Sequence, residues 1–189
     1  PGRDIHTEVA VQVFGDPSMR EVAKRISHGW NYGMGPNKIV AQNPKIVTPE
    51  IAYAFENGMR ERFPRLVEWK AEIDALAASG ALLDNGFGRK MRPNPERSFT
   101  QGPALMGQGC ARDIMMQGLL NLPANILPML RVQVHDEIVL SVPVDAVEDV
   151  RRIVVDALQD VDWPVPILAD SSPAAPDWAG CYEKGALGA

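Results

Sequence analysis

Val132 and Val134 lead into the pair His135-Asp136 at alternate positions, and Ile138, Leu140 and Val142 lead out of it with the same period. A period of two on both sides of a two-residue break predicts a β-hairpin over residues 129–142 with two half-buried strands. The rest of the chain reads mainly at helical period. Asp4 with Thr7 and Glu8 opens a helix that Gly15 closes, and a second helix runs from Ser18 through the 32–35 region. A turn-rich connector follows over 36–49. Thr48-Pro49-Glu50 then starts a helix carrying Ile51, Ala54, Phe55 and Met59, which Phe63-Pro64 interrupts. Leu66, Val67, Trp69, Ile73 and Leu76 form the stripe of the next helix, ended by Ser79-Gly80.

Residues 81–88 read as a strand or hairpin leading into a loop at 88–97, and 103–121 as a long helix. After the central hairpin, Asp145 and Glu148 have the spacing of a capping box. Val147, Val150, Val154, Leu158 and Val161 mark an amphipathic helix behind it, placed to cover one face of the hairpin. A short edge strand is expected at about 165–170, and Trp178 is expected as an anchor in the Pro/Ala-rich loop beyond. The fold class is therefore α+β: a mostly helical first part, then a small antiparallel sheet flanked by helices. No internal repeat is present.

Composition adds limits rather than a function. Across 189 residues, 46% hydrophobic and 23% charged content is ordinary for a globular chain of one domain or two small ones. No apolar run reaches the ~18–20 residues of a membrane span. There is no signal-peptide pattern, and because the first residue is Pro1 the segment is expected to belong to a longer chain. Cys110 and Cys181 have neither CxxC nor metal-ligand spacing, as expected of reduced thiols in a cytoplasmic protein. A net charge of −5 gives no support to nucleic-acid binding. Its distribution is uneven, however. The 88–97 loop holds Arg89, Lys90, Arg92 and Arg97 against Glu96 alone, enough to grip a phosphate backbone locally, although such a loop is by itself more simply a solvated turn.

Two stretches carry candidate chemistry. His-Asp is a poor choice for a two-residue hairpin, whose primed turns favour Asn-Gly, Asp-Gly or Gly-X. A bend that gives up turn chemistry for a histidine and two carboxylates suggests a platform for a metal ion. A polar turn between two core strands explains the stretch equally well. On the second helix, Arg20, Lys24, His28 and Tyr32 recur every four residues and so share one slowly drifting stripe ~18 Å long, cationic at one end and aromatic at the other. A nucleotide has the matching profile, phosphates at one end and a base to stack at the other. Taken by themselves, these cations fit an ordinary surface helix with Glu21–Arg25 as an i,i+4 pair.

The landmarks together resemble the DNA polymerase I family, family A. Arg20-x3-Lys24-x3-His28-x3-Tyr32-Gly33 is similar to the fingers motif Arg-x3-Lys-x3-Phe/Tyr-x3-Tyr-Gly, and Val132-Gln133-Val134-His135-Asp136-Glu137 to the third palm motif. Gly2-Arg3-Asp4-Ile5-His6-Thr7-Glu8 resembles the segment that opens the fingers, Gln108-Gly109-Cys110-Ala111-Arg112-Asp113-Ile114 the helix Gln-Gly-Thr-Ala-Ala-Asp-Ile, and Leu168 to Trp178 the terminal strand with its Asp-Trp. The resemblance implies fingers over 1–80, a later palm part over 81–189, and addition of deoxynucleotides to a primer 3′-OH by two-metal phosphoryl transfer. Asp136 would bind the Mg²⁺ pair with Glu137 in support, and Lys24 would complete the catalytic set. His6, Arg20, Lys24, His28 and Tyr32 would bind the deoxynucleoside triphosphate. Gln108, His135, Arg89 and Arg92 would touch primer-template DNA.

The resemblance has departures. The family's first metal-binding aspartate lies on a strand ahead of Asp-Ile-His, and Asp4 and Asp16 do not replace it. The chain is therefore expected to be inactive alone and to need the N-terminal palm and thumb as partners. His28 stands where the family has an aromatic, and Thr100 and Ala104 stand where it has polar or basic DNA contacts, with Arg97 as a substitute. The alternatives are an inactive DNA-binding remnant and one subunit of a split polymerase. A single-subunit RNA polymerase shares the Lys…Tyr-Gly layout, but His-Asp-Glu points to DNA.

Overall fold

The computed structural model describes residues 4–182. Gly2 and Arg3 of the expected fingers-opening segment lie outside the described residues. The chain divides into two compact units, Pro1–Gly109 and Cys110–Ala189.

The first unit opens with α1 (Ile5–Phe14), which Asp4 caps by accepting from the Thr7 amide and Gly15 ends in the left-handed region at φ 72°. A 3₁₀ turn, Pro17–Met19, leads into α2 (Arg20–Asn31). On α2, Ala23, Ile26, Ser27 and Trp30 are buried at helical spacing while Lys24 and His28 on the other face are exposed. α3 (Pro36–Gln42) follows, then α4 (Pro49–Arg62) with Thr48 as N-cap and Pro49 at its start, and α5 (Pro64–Ala78). Phe55 is fully buried at the centre of this core, with Trp30 at 6.3 Å and Phe14 at 6.1 Å between ring centroids. Burying one such side chain contributes about 1.5–3 kcal/mol, so the faces of α1, α2 and α4 that meet Phe55 set the orientation of α2.

A small antiparallel pair, β1 (Leu83–Asp84) and β2 (Lys90–Met91), packs Leu83 and Met91 against Ile73 of α5, with Leu105 and Met106 alongside. For that reason the first compact unit continues past Gly80 and its boundary falls within α6 (Ser98–Leu120). The expected basic loop at 88–97 is thus partly ordered as β2 and a 3₁₀ turn, Pro95–Arg97.

In the second unit, β3 (Leu130–Val134) and β4 (Glu137–Leu140) form the expected hairpin, with Val134 opposite Glu137 and His135-Asp136 as the two-residue connection. α7 (Val147–Gln159) buries Val150, Val154 and Ala157 in a cluster with Leu122 and Ile126, against which Ile138 and Leu140 pack. One face of β4 is covered as expected. β3 is more open, with Val132 and Val134 each 37% exposed.

Other expectations are corrected. The 36–49 connector contains α3, because extended Gly35 and Pro36 form a start and Ile39 is buried. α2 ends at Asn31, four residues before Gly35. α6 begins at Ser98 rather than Pro103, and Pro103 is accommodated inside it. Gly102 and Pro103 are buried there, and a side chain at Gly102 would meet Ile73 at 3.0 Å. The Asp145–Glu148 capping box does not form. Val144–Ala146 makes a 3₁₀ turn, α7 starts after it with Ala146 as N-cap, and Glu148 bonds Arg151 instead at 2.9 Å. No strand forms at 165–170. Pro164 and Pro166 have no N–H to give to a ladder, and the Ala169 amide donates to the Gln159 side chain at 3.2 Å.

Candidate functional site

Asp4 does two jobs in the first unit. It caps α1, accepting from the Thr7 amide at 2.8 Å and the Thr7 hydroxyl at 2.6 Å, and it receives the Arg20 guanidinium through Nε at 2.8 Å and Nη2 at 3.2 Å. The hydrogen bond from Thr7, then that from Arg20, holds the Asp4 carboxyl far below the usual carboxylate range, and Asp4 in turn raises Arg20. Glu21 takes Nη1 of the same guanidinium. Arg20 is therefore engaged by two carboxylates that any phosphate would have to displace. Lys24, one turn along, is exposed and forms no ion pair among the described residues. His6 is half-buried on α1, and its Nδ1 is shielded from solvent without a hydrogen-bond partner among the described residues.

At the other end of the stripe the His28 and Tyr32 rings meet edge to face at 5.1 Å. The Tyr32 hydroxyl accepts from Gln108 Nε2 at 3.0 Å, so the structure joins two residues that the sequence assigned to separate ligands. A cavity of about 240 Å³ lies here, with His28, Tyr32, Trp69, Lys70 and Gln108 among its lining.

Sequence reasoning missed two supports of this helix end. Lys70 Nζ lies 3.5 Å from the Trp30 ring centroid and donates to the Trp30 carbonyl at 2.5 Å, one of the acceptors that a helix C-terminus leaves open. Burial pushes Lys70 down to about 8. Phe99 is the second. Gly33 sits at φ 78°, and a Cβ there would come within 2.8 Å of the Phe99 ring and 3.0 Å of its carbonyl oxygen. The Tyr-Gly pair thus has a local cause: only glycine both turns the chain left-handed and admits Phe99. Lys70 is 40 residues from Trp30 along the chain, and no spacing rule could pair them.

The basic stretch is less available than its composition suggested. Lys90 pairs with Asp84, whose carboxyl that bond pulls down. Arg89 and Arg92 are both exposed.

In the second unit the bend is strained and braced. His135 has φ 53°, a region that costs a residue with a side chain about 1–3 kcal/mol. Gln133 Nε2 donates to the His135 carbonyl at 2.6 Å. Asp136 is exposed and makes no hydrogen bond or ion pair among the described residues. Glu137 is held: its Oε1 accepts from Trp178 Nε1 at 2.9 Å and from the Tyr182 hydroxyl. Trp178 was expected as an anchor, and the structure shows what it anchors. Among the described residues no three His, Cys, Asp or Glu side chains are grouped to hold a metal ion.

Comparison with known proteins places these features in a family. The sequence matches the family described as DNA polymerase family A over residues 1–179. It is 31% identical over 180 residues to the thermostable DNA polymerase I of Thermus filiformis, covering 84% of this chain and 21% of that protein. It is 26% identical over 187 residues to the DNA polymerase of Mycobacterium phage D29, covering 96% of this chain and 30% of that one. The fold superposes on the POL domain of Pol1 from M. smegmatis, in a complex with DNA primer-template and dNTP, with a TM-score of 0.75 at 20% identity over 89% of this chain and 33% of that chain. The chain therefore spans between a fifth and a third of the length of these relatives. Since the match runs through both the α2 stripe and the His-Asp-Glu bend, the chain belongs to DNA polymerase family A.

Proposed function

We propose that these residues are the fingers (1–80) and later palm (81–189) of a template-directed DNA polymerase, adding deoxynucleotides to a primer 3′-OH. The observation that carries this reading is the exposed face of α2, where Lys24, without an ion pair among the described residues, stands between a cation held in reserve and an aromatic pair. Lys24 meets the β- and γ-phosphates of the incoming nucleotide and offsets the charge that grows on the leaving pyrophosphate. Arg20 joins it by exchanging Asp4 and Glu21 for phosphate oxygens, keeping its charge paired throughout. His6, half-buried on α1, joins them at the same phosphates. His28 and Tyr32 stack beside the sugar and nascent base pair. Gln108, His135, Arg89 and Arg92 face primer-template DNA.

Asp136 fits one part of a magnesium site, because Mg²⁺ is typically held by one or two carboxylates together with substrate phosphates. Bound Mg²⁺ would neutralise charge on the attacking and leaving oxygens. The described residues offer no third clustered ligand, so the remaining carboxylate comes from elsewhere in the polymerase. Accordingly, the 189-residue segment alone gives no primer extension, while the complete chain does. Extension by the isolated segment would refute the assignment. Extension restored on mixing the segment with a separately made remainder would favour a split polymerase, and a complete chain that binds DNA without extending it would favour the inactive remnant.

His28 is a polar ring where the family carries an aromatic, and it is exposed at the edge of the cavity. We expect His28→Phe in the complete chain to change the ratio of dideoxy to deoxy incorporation, because the ring packs against the 3′ side of the sugar. Equal ratios before and after the substitution would remove His28 from the nucleotide site.

A further inference from the structure

The second unit holds an arrangement that neither the motif nor the family match assigns. Asp177 accepts from the Gly180 amide at 2.8 Å and closes the 3₁₀ turn Ala179–Tyr182. That turn brings Trp178 and Tyr182 to one side, with ring centroids 6.4 Å apart and the indole N–H 3.1 Å from the phenol oxygen. Both donors converge on Oε1 of Glu137, which directly follows the bend. Glu137 is also the residue paired with Val134 across the turn. The strained His135 therefore lies between two fixed points, the Gln133 amide on its own carbonyl and the aromatic pair on Glu137.

We propose that Trp178 and Tyr182 are positioning residues: by donating to Glu137 they lock the bend so that Asp136 is the carboxylate it presents to a divalent cation, with Glu137 as anchor. The proposal rests on the metal-bearing reading of the bend. Two donors on Oε1 occupy that oxygen and fix the orientation of the Glu137 carboxylate. Asp136, with no partner among the described residues, remains available. A strained backbone persists only where its surroundings over-determine it. The terminal turn supplies that constraint from more than 40 residues away in sequence.

The test uses the complete polymerase chain carrying Tyr182→Phe and Trp178→Phe together, which removes both donors and keeps aromatic rings. Trp178 and Tyr182 are 43% and 52% exposed, so the exchange leaves the buried cluster of this unit intact. The half-saturating Mg²⁺ concentration for extension should rise about tenfold or more, since both hydrogen bonds to the charged Glu137 carboxylate are lost. Without metal, amide hydrogen exchange should quicken in residues 132–138 and stay unchanged in α7. Glu137→Ala, which removes the acceptor that both rings share, should quicken exchange over the same residues as the double variant does. Three results would overturn the proposal: an unchanged Mg²⁺ requirement in the double variant, faster exchange spread equally through α7, or Glu137→Ala exchanging no faster than wild type over residues 132–138. Asp136→Asn, run alongside, separates the two ideas. If it leaves extension intact, the metal reading of the bend itself is lost. If it abolishes extension while the double variant behaves as wild type, only the clamp is lost.

Discussion

Asp136→Asn in the complete polymerase chain is expected to lower primer extension by about a thousandfold or more, the scale seen when one preorganised electrostatic contribution to a transition state is removed. The same substitution should leave folding nearly untouched. Asp136 is exposed, bonds to nothing among the described residues, and asparagine has its shape. Surface changes of that kind usually stay within about ±0.5 kcal/mol. The combination is the informative part: lost extension at an unchanged thermal midpoint places the defect in chemistry. Had the bend been only a polar turn between strands, neither quantity would move. Extension near wild type would therefore withdraw the metal role.

Lys24→Ala should be the next most damaging change, lowering kcat/KM for the deoxynucleotide about 10²–10³-fold. An exposed lysine with no ion pair among the described residues contributes little to stability, so any structural effect is small. In the proposed role it delivers charge to a leaving group, so Lys24→Arg should recover part of the loss because charge is kept while reach and geometry change. Arg20→Ala gives a different signature. It also strips Asp4 of its guanidinium partner beside the α1 cap, so nucleotide binding and the stability of α1 should fall together. A Lys24→Ala enzyme with unaltered nucleotide kinetics would contradict the assignment of α2.

The sequence disclosed those parts of the fold that obey local rules. The 132–142 alternation, the Asp4 and Thr48 caps, Pro49 at a helix start and the Phe63-Pro64 break each act within a few residues, and each appears where expected. The errors arose where tertiary packing overrode such rules. The long helix expected over 103–121 begins earlier, at Ser98, because Gly102 and Pro103 are buried and Gly102 lies against Ile73 of α5. Asp145 and Glu148 had capping spacing, but a 3₁₀ turn moved the helix start past Asp145. Pro164 and Pro166 oppose a strand at 165–170, since neither has an N–H to give to a ladder.

The same division holds for the candidate site. Spacing alone put Arg20, Lys24, His28 and Tyr32 on one stripe, and the structure keeps the first three on α2 with Tyr32 at its cap. Spacing could not show that Arg20 is held by Asp4, that Gln108 bonds Tyr32, or that Lys70 caps the helix end through Trp30. Nor could it tell which carboxylate of the bend is free. Those facts are contacts between residues far apart in the chain, beyond the reach of any spacing rule.

In the proposed function, α2 grips the incoming triphosphate. The direct measurement is to stall the complete chain on primer-template, add a photo-crosslinkable deoxynucleoside triphosphate, irradiate, and map the labelled peptide by mass spectrometry. The account predicts label within residues 20–32, lost on Lys24→Ala. Label confined to other segments, with α2 unmodified, would contradict it.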